Sequence, residues 1–474
     1  MKKYILIILC CLTSFPLWSY NVNMIVEHYS VDQGLPNNTV NCTLKDRDGF
    51  IWFGTWYGLC CFDGVKFKTF NKQEHDSDVP PRKIQRIVED KNGYIWVKTI
   101  DRKLYVFNKV TECFHAVYDD MKNYSENIQV IKLQNTAEGD VLLLTKDKNL
   151  LLAGVDEKGQ VTIKILFDSR DEINKHDYTL KHHVLCETEE YISWIGTDYK
   201  VSAVHKGAEL ASRPADFITS KINSGDKDSF TSFFEDGRKV WVGDRAGIFY
   251  SIDVRTGLVN RYVLSEIKGA ISNLLVTPAG YVYLSVAGQG TYEYDLAERR
   301  LQKINTEMND AMVTHAFIDQ YDKIWFHENE KALIYYDPLN HTAKRFPFTM
   351  FGKITTLYSE DAGERGLFFL SPAGEAWLFD REHAEMVYIN KLKQLSNDRA
   401  NQQFYHLMLD NDGVLWLSSA DEGVYCMNFP KKQFNLLSLS PQSAGQENYT
   451  IGVRALFQSK SGDIWVGTRW QSVY

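Results

Sequence analysis

The sequence predicts an all-β chain folded as a β-propeller of four-stranded blades, and three observations carry that prediction. A short unit recurs along the chain, most fully as Asp46-Arg47-Asp48-Gly49-Phe50-Ile51-Trp52-Phe53-Gly54-Thr55-Trp56-Tyr57-Gly58-Leu59. Its central aromatics return about 42 to 52 residues apart, the period of a propeller blade. No helix-period segment of useful length interrupts the series.

In the first unit Val40 to Leu44 alternates as a strand and Asp46-Arg47-Asp48-Gly49 turns it. Phe50 to Thr55 is the second strand, Leu59 to Phe62 the third and Lys66 to Phe70 the fourth. Aspartate and glycine between alternating runs signal tight hairpins, since both tolerate positive φ. Four such strands followed by a linker make one blade. Later units centre on Trp96, Trp194, Trp241, Trp325, Trp416 and Trp465. Tyr283 and Phe368 stand at that position in the sixth and eighth, and the third keeps only Asp140-Val141-Leu142-Leu143-Leu144. Nine units and part of a tenth exceed the eight blades that usually close one ring. The expectation is therefore two rings, the second incomplete.

Composition supports a folded chain. Hydrophobic residues make up 44% of 474 and aromatics 13%, with only 11 Pro and 30 Gly. With 53 basic against 61 acidic residues the formal charge is -8, and no basic run marks a nucleic-acid binder. Lys2 and Lys3, the apolar run Tyr4 to Leu12 and Pro16 read as an export signal over 1–20. No later stretch is long and apolar enough for a membrane helix. The mature cysteines show no disulfide framework; Cys42 with Cys60 or Cys61 is the one bridge candidate.

The units resemble the two-component regulator propeller repeat, in which an acidic residue and glycine precede Ile-Trp-x-Gly-Thr, a short gap and Gly-Leu. Gly34-Leu35-Pro36-Asn37-Asn38-Thr39-Val40 resembles the segment that introduces the first repeat. The match is good at Trp52 and Trp465, fair at Trp96, Trp241 and Trp416, and poor in the third and eighth units. The resemblance implies the periplasmic sensor region of a hybrid two-component system of gut-type Bacteroidetes. Such regions carry two seven-bladed propellers, bind oligosaccharides and precede a membrane helix and a histidine kinase, which implies a first seven-bladed ring over 21–350 and an incomplete second ring over 351–474. It also implies pairing of sensor regions as a homodimer, and membrane contact only through segments outside this chain.

The residues themselves give no catalytic assignment. Nucleophile elbow, P-loop, dinucleotide fingerprint and H-E-x-x-H motifs are absent, so neither cofactor nor metal site is assigned. The Asp-Gly turns lack the ordered oxygen ligands of a calcium loop. Trp52, Trp96, Trp194, Trp241, Trp325, Trp416 and Trp465 sit mid-strand among apolar neighbours and are expected in the core between blades.

Trp56 and Tyr57 differ, because they occupy the turn between the second and third strands. In a propeller those turns share a face with the linkers between blades. An aromatic platform with polar neighbours there suits the C–H face of a sugar ring. Arg245, Gln289, Arg469 and Trp470 on analogous turns complete the candidate oligosaccharide-binding set. An interaction scaffold and an exported carbohydrate-active enzyme are the alternative classes.

Overall fold

The computed structural model describes residues 25–70, 81–122, 129–147, 149–167, 180–188, 190–196, 200–207, 217–221, 230–304, 313–328, 331–351, 358–361, 366–371, 375–391, 404–428, 453–459 and 464–468. The expected export segment 1–20 lies outside them. No described helix is long and apolar enough to cross a membrane.

The described residues form nine four-stranded sheets and one two-stranded hairpin. Eight sheets are each built from four consecutive antiparallel strands, over 40–70, 84–116, 130–167, 180–221, 230–263, 271–303, 313–347 and 358–391. The ninth has three strands of its own, Phe404–Leu409, Leu415–Ser419 and Val424–Asn428. Its fourth place is taken by the N-terminal strand Ile25–Tyr29, paired antiparallel from Ile25 opposite Asn428 to Tyr29 opposite Val424. That pairing covers an edge that would otherwise present unpaired backbone groups.

Hydrophobic clusters join each sheet to the next. Trp52 packs with Ile87, Val97 and Phe107 of the second sheet, and Trp96 with Leu133 and Leu143 of the third. Others run through Leu142 and Ile192, Ala203 and Val240, Trp241 and Leu274, and Tyr283 and Ile324. Trp325 packs with Phe369 and Phe379, and Phe368 with Phe404 and Leu417. Trp416 returns to the first sheet, 5.9 Å from the Phe53 ring centroid. The all-β propeller of four-stranded blades is thus as expected.

The ring count differs from the expectation of seven blades ending at 350. The seventh–eighth and eighth–ninth clusters carry the same ring past that point. The chain divides instead into compact units 1–429 and 430–474. In the second unit the described strands are the hairpin Val453–Gln458 and Ile464–Thr468. Trp465 there is 49% exposed, which corrects its expected place in a blade core. Two strands alone give it no second layer to pack against. Trp52, Trp96, Trp241, Trp325 and Trp416 are buried as expected; the Trp194 side chain lies outside the described residues.

In five blades an aspartate fixes the first turn to its tryptophan, and four of the five, Asp46, Asp90, Asp319 and Asp410, are buried. One oxygen of Asp46 accepts the backbone N–H groups of Asp48 (3.0 Å) and Phe50 (2.9 Å), and the other accepts Trp52 Nε1 at 2.8 Å. Asp90 repeats this with Asn92, Tyr94 and Trp96, and Asp410 with Asp412, Val414 and Trp416. Asp319 serves Trp325 in the same way, and Asp236 serves Trp241 from five residues away rather than six. A buried carboxylate is tolerated when its lone pairs are filled. The Asp-Gly turn is accordingly a structural device.

Cys42, Cys60, Cys61, Cys113 and Cys426 are free thiols, so the bridge candidate is not formed. Cys42 lies between the first and second sheets, whereas Cys60 lies on the other side of its blade, toward the ninth. Cys61 shares a cluster with Cys42 yet stays reduced. Burial pushes the Cys42, Cys60 and Cys61 thiols up to about 12, leaving them as small apolar side chains.

Candidate functional site

The Thr55–Gly58 turn carries the exposed aromatics. Thr55 Oγ1 donates to Gly58 O at 2.8 Å and accepts Tyr57 N at 3.1 Å, closing the turn on a buried hydroxyl. Trp56 N donates to Thr39 O at 3.2 Å, while Trp56 O accepts Lys83 N at 2.9 Å. Its backbone is therefore held both by the linker entering its own blade and by the linker entering the next. The indole is 40% exposed and Tyr57 is 64% exposed. The Lys83 ammonium lies 5.3 Å from the Trp56 ring centroid, within cation–π range.

Other members of the expected set are placed differently. Arg245 is exposed on the corresponding turn of the fifth sheet. On the sixth, the Gln289 amide is committed to the adjoining linker: Oε1 accepts Lys268 N at 2.7 Å and Nε2 donates to Glu266 O at 3.0 Å. These turns are on other blades and do not gather around Trp56. Arg469 and Trp470 lie outside the described residues.

What the structure adds on the second blade is a group of cations. The second unit reads Ile95-Trp96-Val97-Lys98-Thr99, with lysine where the motif has glycine. At Gly54, a Cβ would fall 2.4 Å from Cys42 Sγ and 2.6 Å from Ile84 Cγ2. Gly243 is equally crowded, 2.4 Å from Ser232 Oγ. The motif glycine thus answers a close approach of the inner strand and the next blade. At Lys98 the facing residue is Arg86 on the inner strand, so two cations stand where the first and fifth blades pack tightly around Gly54 and Gly243.

Lys98 is 6% exposed. Its ammonium donates to Ile131 O, a carbonyl at the β-bulge between Val130 and Lys132, where ladder pairing is interrupted. Burial, then the Arg102 and Arg86 guanidiniums, bring its pKa down to about 8. Arg86 also faces His406 on the innermost strand of the ninth sheet. Burial and then Arg86 lower that imidazole to about 4, and its Nδ1 is buried without a partner. The signal that could have exposed this site was lysine in the glycine position.

Among the described residues, the opposite face holds the one carboxylate cluster suited to a cation, Asp46, Asp48 and Glu89. Lys109 occupies its centre, with Nζ 2.6 Å from Asp48, 2.8 Å from Glu89 and 3.1 Å from Asp46. Burial alone would lower the lysine, but its bonds to Asp48, Glu89 and Asp46 raise it above its ordinary range. That cluster already has its counter-charge.

With this geometry in place, the family model for the two component regulator propeller matches residues 34–57, from the segment before the first blade through Trp56 and Tyr57. Residues 34–57 are a two component regulator propeller repeat. No curated protein matches the chain. Among solved structures it is similar to the extracellular domain of BT4673 from B. thetaiotaomicron, named as a hybrid two component system. That match has 14% identity over 92% of this chain and 69% of the other, with a TM-score of 0.37. It is also similar to the extracellular domain of BT3049 from the same organism, likewise named, at 15% identity over 95% and 65%, TM-score 0.33. The Dos1 propeller matches at 12% identity over 85% and 93%, TM-score 0.45.

Proposed function

We propose that this chain is the periplasmic ligand-sensing part of a two-component regulatory system, recognising an oligosaccharide on the face that carries Trp56 and Tyr57. The observation that supports this reading most is the pinned turn of the matched repeat, with two exposed aromatics above a backbone fixed at both sides. A rigid indole offers stacking area at low entropic cost, and its neighbours offer polar groups for hydroxyls.

In this reading the chain is exported and contains no enzyme. It signals to a histidine kinase on a separate segment and pairs with a second copy of the sensor region. Its output regulates use of the polysaccharide from which the ligand comes. A ligand shifts such a sensor only by its differential affinity for the two signalling states.

The test is a glycan panel applied to the purified chain, read by thermal shift, titration calorimetry and product analysis. A shift without turnover is the expected result. Turnover would make the chain a carbohydrate-active enzyme, and silence across the panel would replace the reading with a protein-binding scaffold.

A further inference from the structure

The geometry points to an anion-recognising subsite on the second blade, formed by Arg86, Lys98 and Arg102 with Lys83 of the linker before it, that takes a carboxylate or sulfate carried by a sugar. The inference rests on the oligosaccharide reading and narrows it to acidic glycans.

Among the described residues, none of Lys83, Arg86, Lys98 and Arg102 has a carboxylate within ion-pair distance. Lys98 is buried, and its one acceptor is the carbonyl of Ile131. An ammonium has three N–H groups to satisfy, and burying it without a counter-charge is costly. Arg86 is directly opposite Lys98 across the first two strands of the second sheet. Arg102 follows on the next turn, its backbone N–H bonded to Thr99 O at 2.9 Å. Like charges held together this way raise the cost further, and an anion seated between them would remove it.

The site is continuous with the aromatic platform through the backbone. Lys83 N is bonded to Trp56 O, and Ile100 N to Lys83 O, both at 2.9 Å; Val130 N is bonded to Arg102 O, also at 2.9 Å. Successive hydrogen bonds thus tie the Trp56 turn to the Arg102 turn across the first, second and third blades. An oligosaccharide that reaches from the Trp56 turn to the second blade would bring an acidic substituent to these cations. Arginine suits that role, since its planar fork meets carboxylate or sulfate oxygens in pairs.

The test is titration calorimetry on the full chain with uronate-containing trisaccharides, sulfated trisaccharides and their neutral parents. At least one acidic series should bind about tenfold tighter than its neutral parent, the yield of one charge-assisted pair. The gain should shrink as salt rises, and Arg86→Gln and Arg102→Gln should each reduce it. Which series shows the gain decides between carboxylate and sulfate. Lys98→Met should abolish the preference while raising the thermal midpoint. A lowered midpoint would instead assign Lys98 to the fold through Ile131 and overturn its place in the site. Equal binding of acidic and neutral sugars overturns the subsite and leaves the oligosaccharide reading standing. Absence of binding to any sugar overturns both.

Discussion

The two faces of the ring treat positive charge in opposite ways. On the face of the first and third turns, the residue after the third strand reaches acids of two blades. Lys109 meets Asp46 and Glu89, Lys206 meets Glu138 (2.9 Å) and Glu187 (2.6 Å), and Arg381 meets Asp319 (2.5 Å) and Asp361 (2.7 Å). Lys45 joins Asp410 of the ninth sheet at 3.4 Å in the same spirit. Each cation is a strut between neighbouring blades. On the face of the second turns, Lys98, Arg86 and Arg102 stand together without such acids. A fold that needs only rigidity gains from the first arrangement. The second leaves the buried Lys98 ammonium without a counter-charge, an arrangement that costs stability and suits a site attracting an anion.

Replacing one cation on each face by methionine separates the two arrangements. Lys109→Met leaves the buried Asp46 carboxylate without its counter-charge, while Glu89 keeps Arg47 at 3.2 Å, and should cost about 3–5 kcal/mol. Lys98→Met removes an unpaired charge and should not destabilise at all. Urea unfolding of the two variants checks both; equal losses would erase the distinction between the faces. A smaller loss is expected from Asp46→Asn. An amide cannot accept both backbone N–H groups and the Trp52 indole without pointing its own N–H at a donor. The cost is about 1–3 kcal/mol, and Trp52 fluorescence should report the loosened indole.

Titration separates the faces further. Lys98 sits near 8 in the fold against 10.5 when exposed, with Arg102 and Arg86 the charges that face it. Between those values the unfolded chain binds the extra proton, so stability rises with pH across the window and its penalty is complete below it. Lys98→Met should lack that slope. His406 sits near 4 against 6.5, faced by Arg86. Here too the unfolded chain binds the proton first, so stability is lost as pH falls from 6.5 toward 4. His406→Leu should flatten that acid limb in pH-dependent unfolding, and an unchanged limb would mean the imidazole is charged in the fold.

Much of the fold was legible because the repeat is local. Strand order, turn chemistry and the buried tryptophans follow from patterns spanning a few tens of residues. The Asp46–Trp52 latch was equally local but hidden by Asp48 beside the turn glycine; the six-residue spacing at Asp46, Asp90, Asp319 and Asp410 is the signal that separates them. Ring closure was not legible. It depends on Ile25–Tyr29 meeting Val424–Asn428, a pairing across nearly the whole chain that no local pattern announces. Trp465 shows the same limit from the other side, since its motif is intact and its burial depends on layers beyond its own hairpin. For the site, Trp56 and Tyr57 stood out as departures from the repeat. Lys98 departs just as plainly, but glycine's role there became visible only when Cys42 and Ile84 were seen against Gly54.

The smallest expected change in stability tests the largest functional claim. Trp56 is held by its backbone N–H and carbonyl, and both bonds survive in Trp56→Ala. What is lost is an exposed ring and its contact with the Lys83 ammonium, together worth about 0.5–1 kcal/mol at such a site. The variant should therefore melt close to the parent chain while binding to glycans falls about tenfold or more. If melting drops by several kcal/mol, Trp56 belongs to the core like Trp52. Unchanged melting with unchanged glycan binding would remove the ring from the ligand site, leaving the cations of the second blade to account for recognition without it.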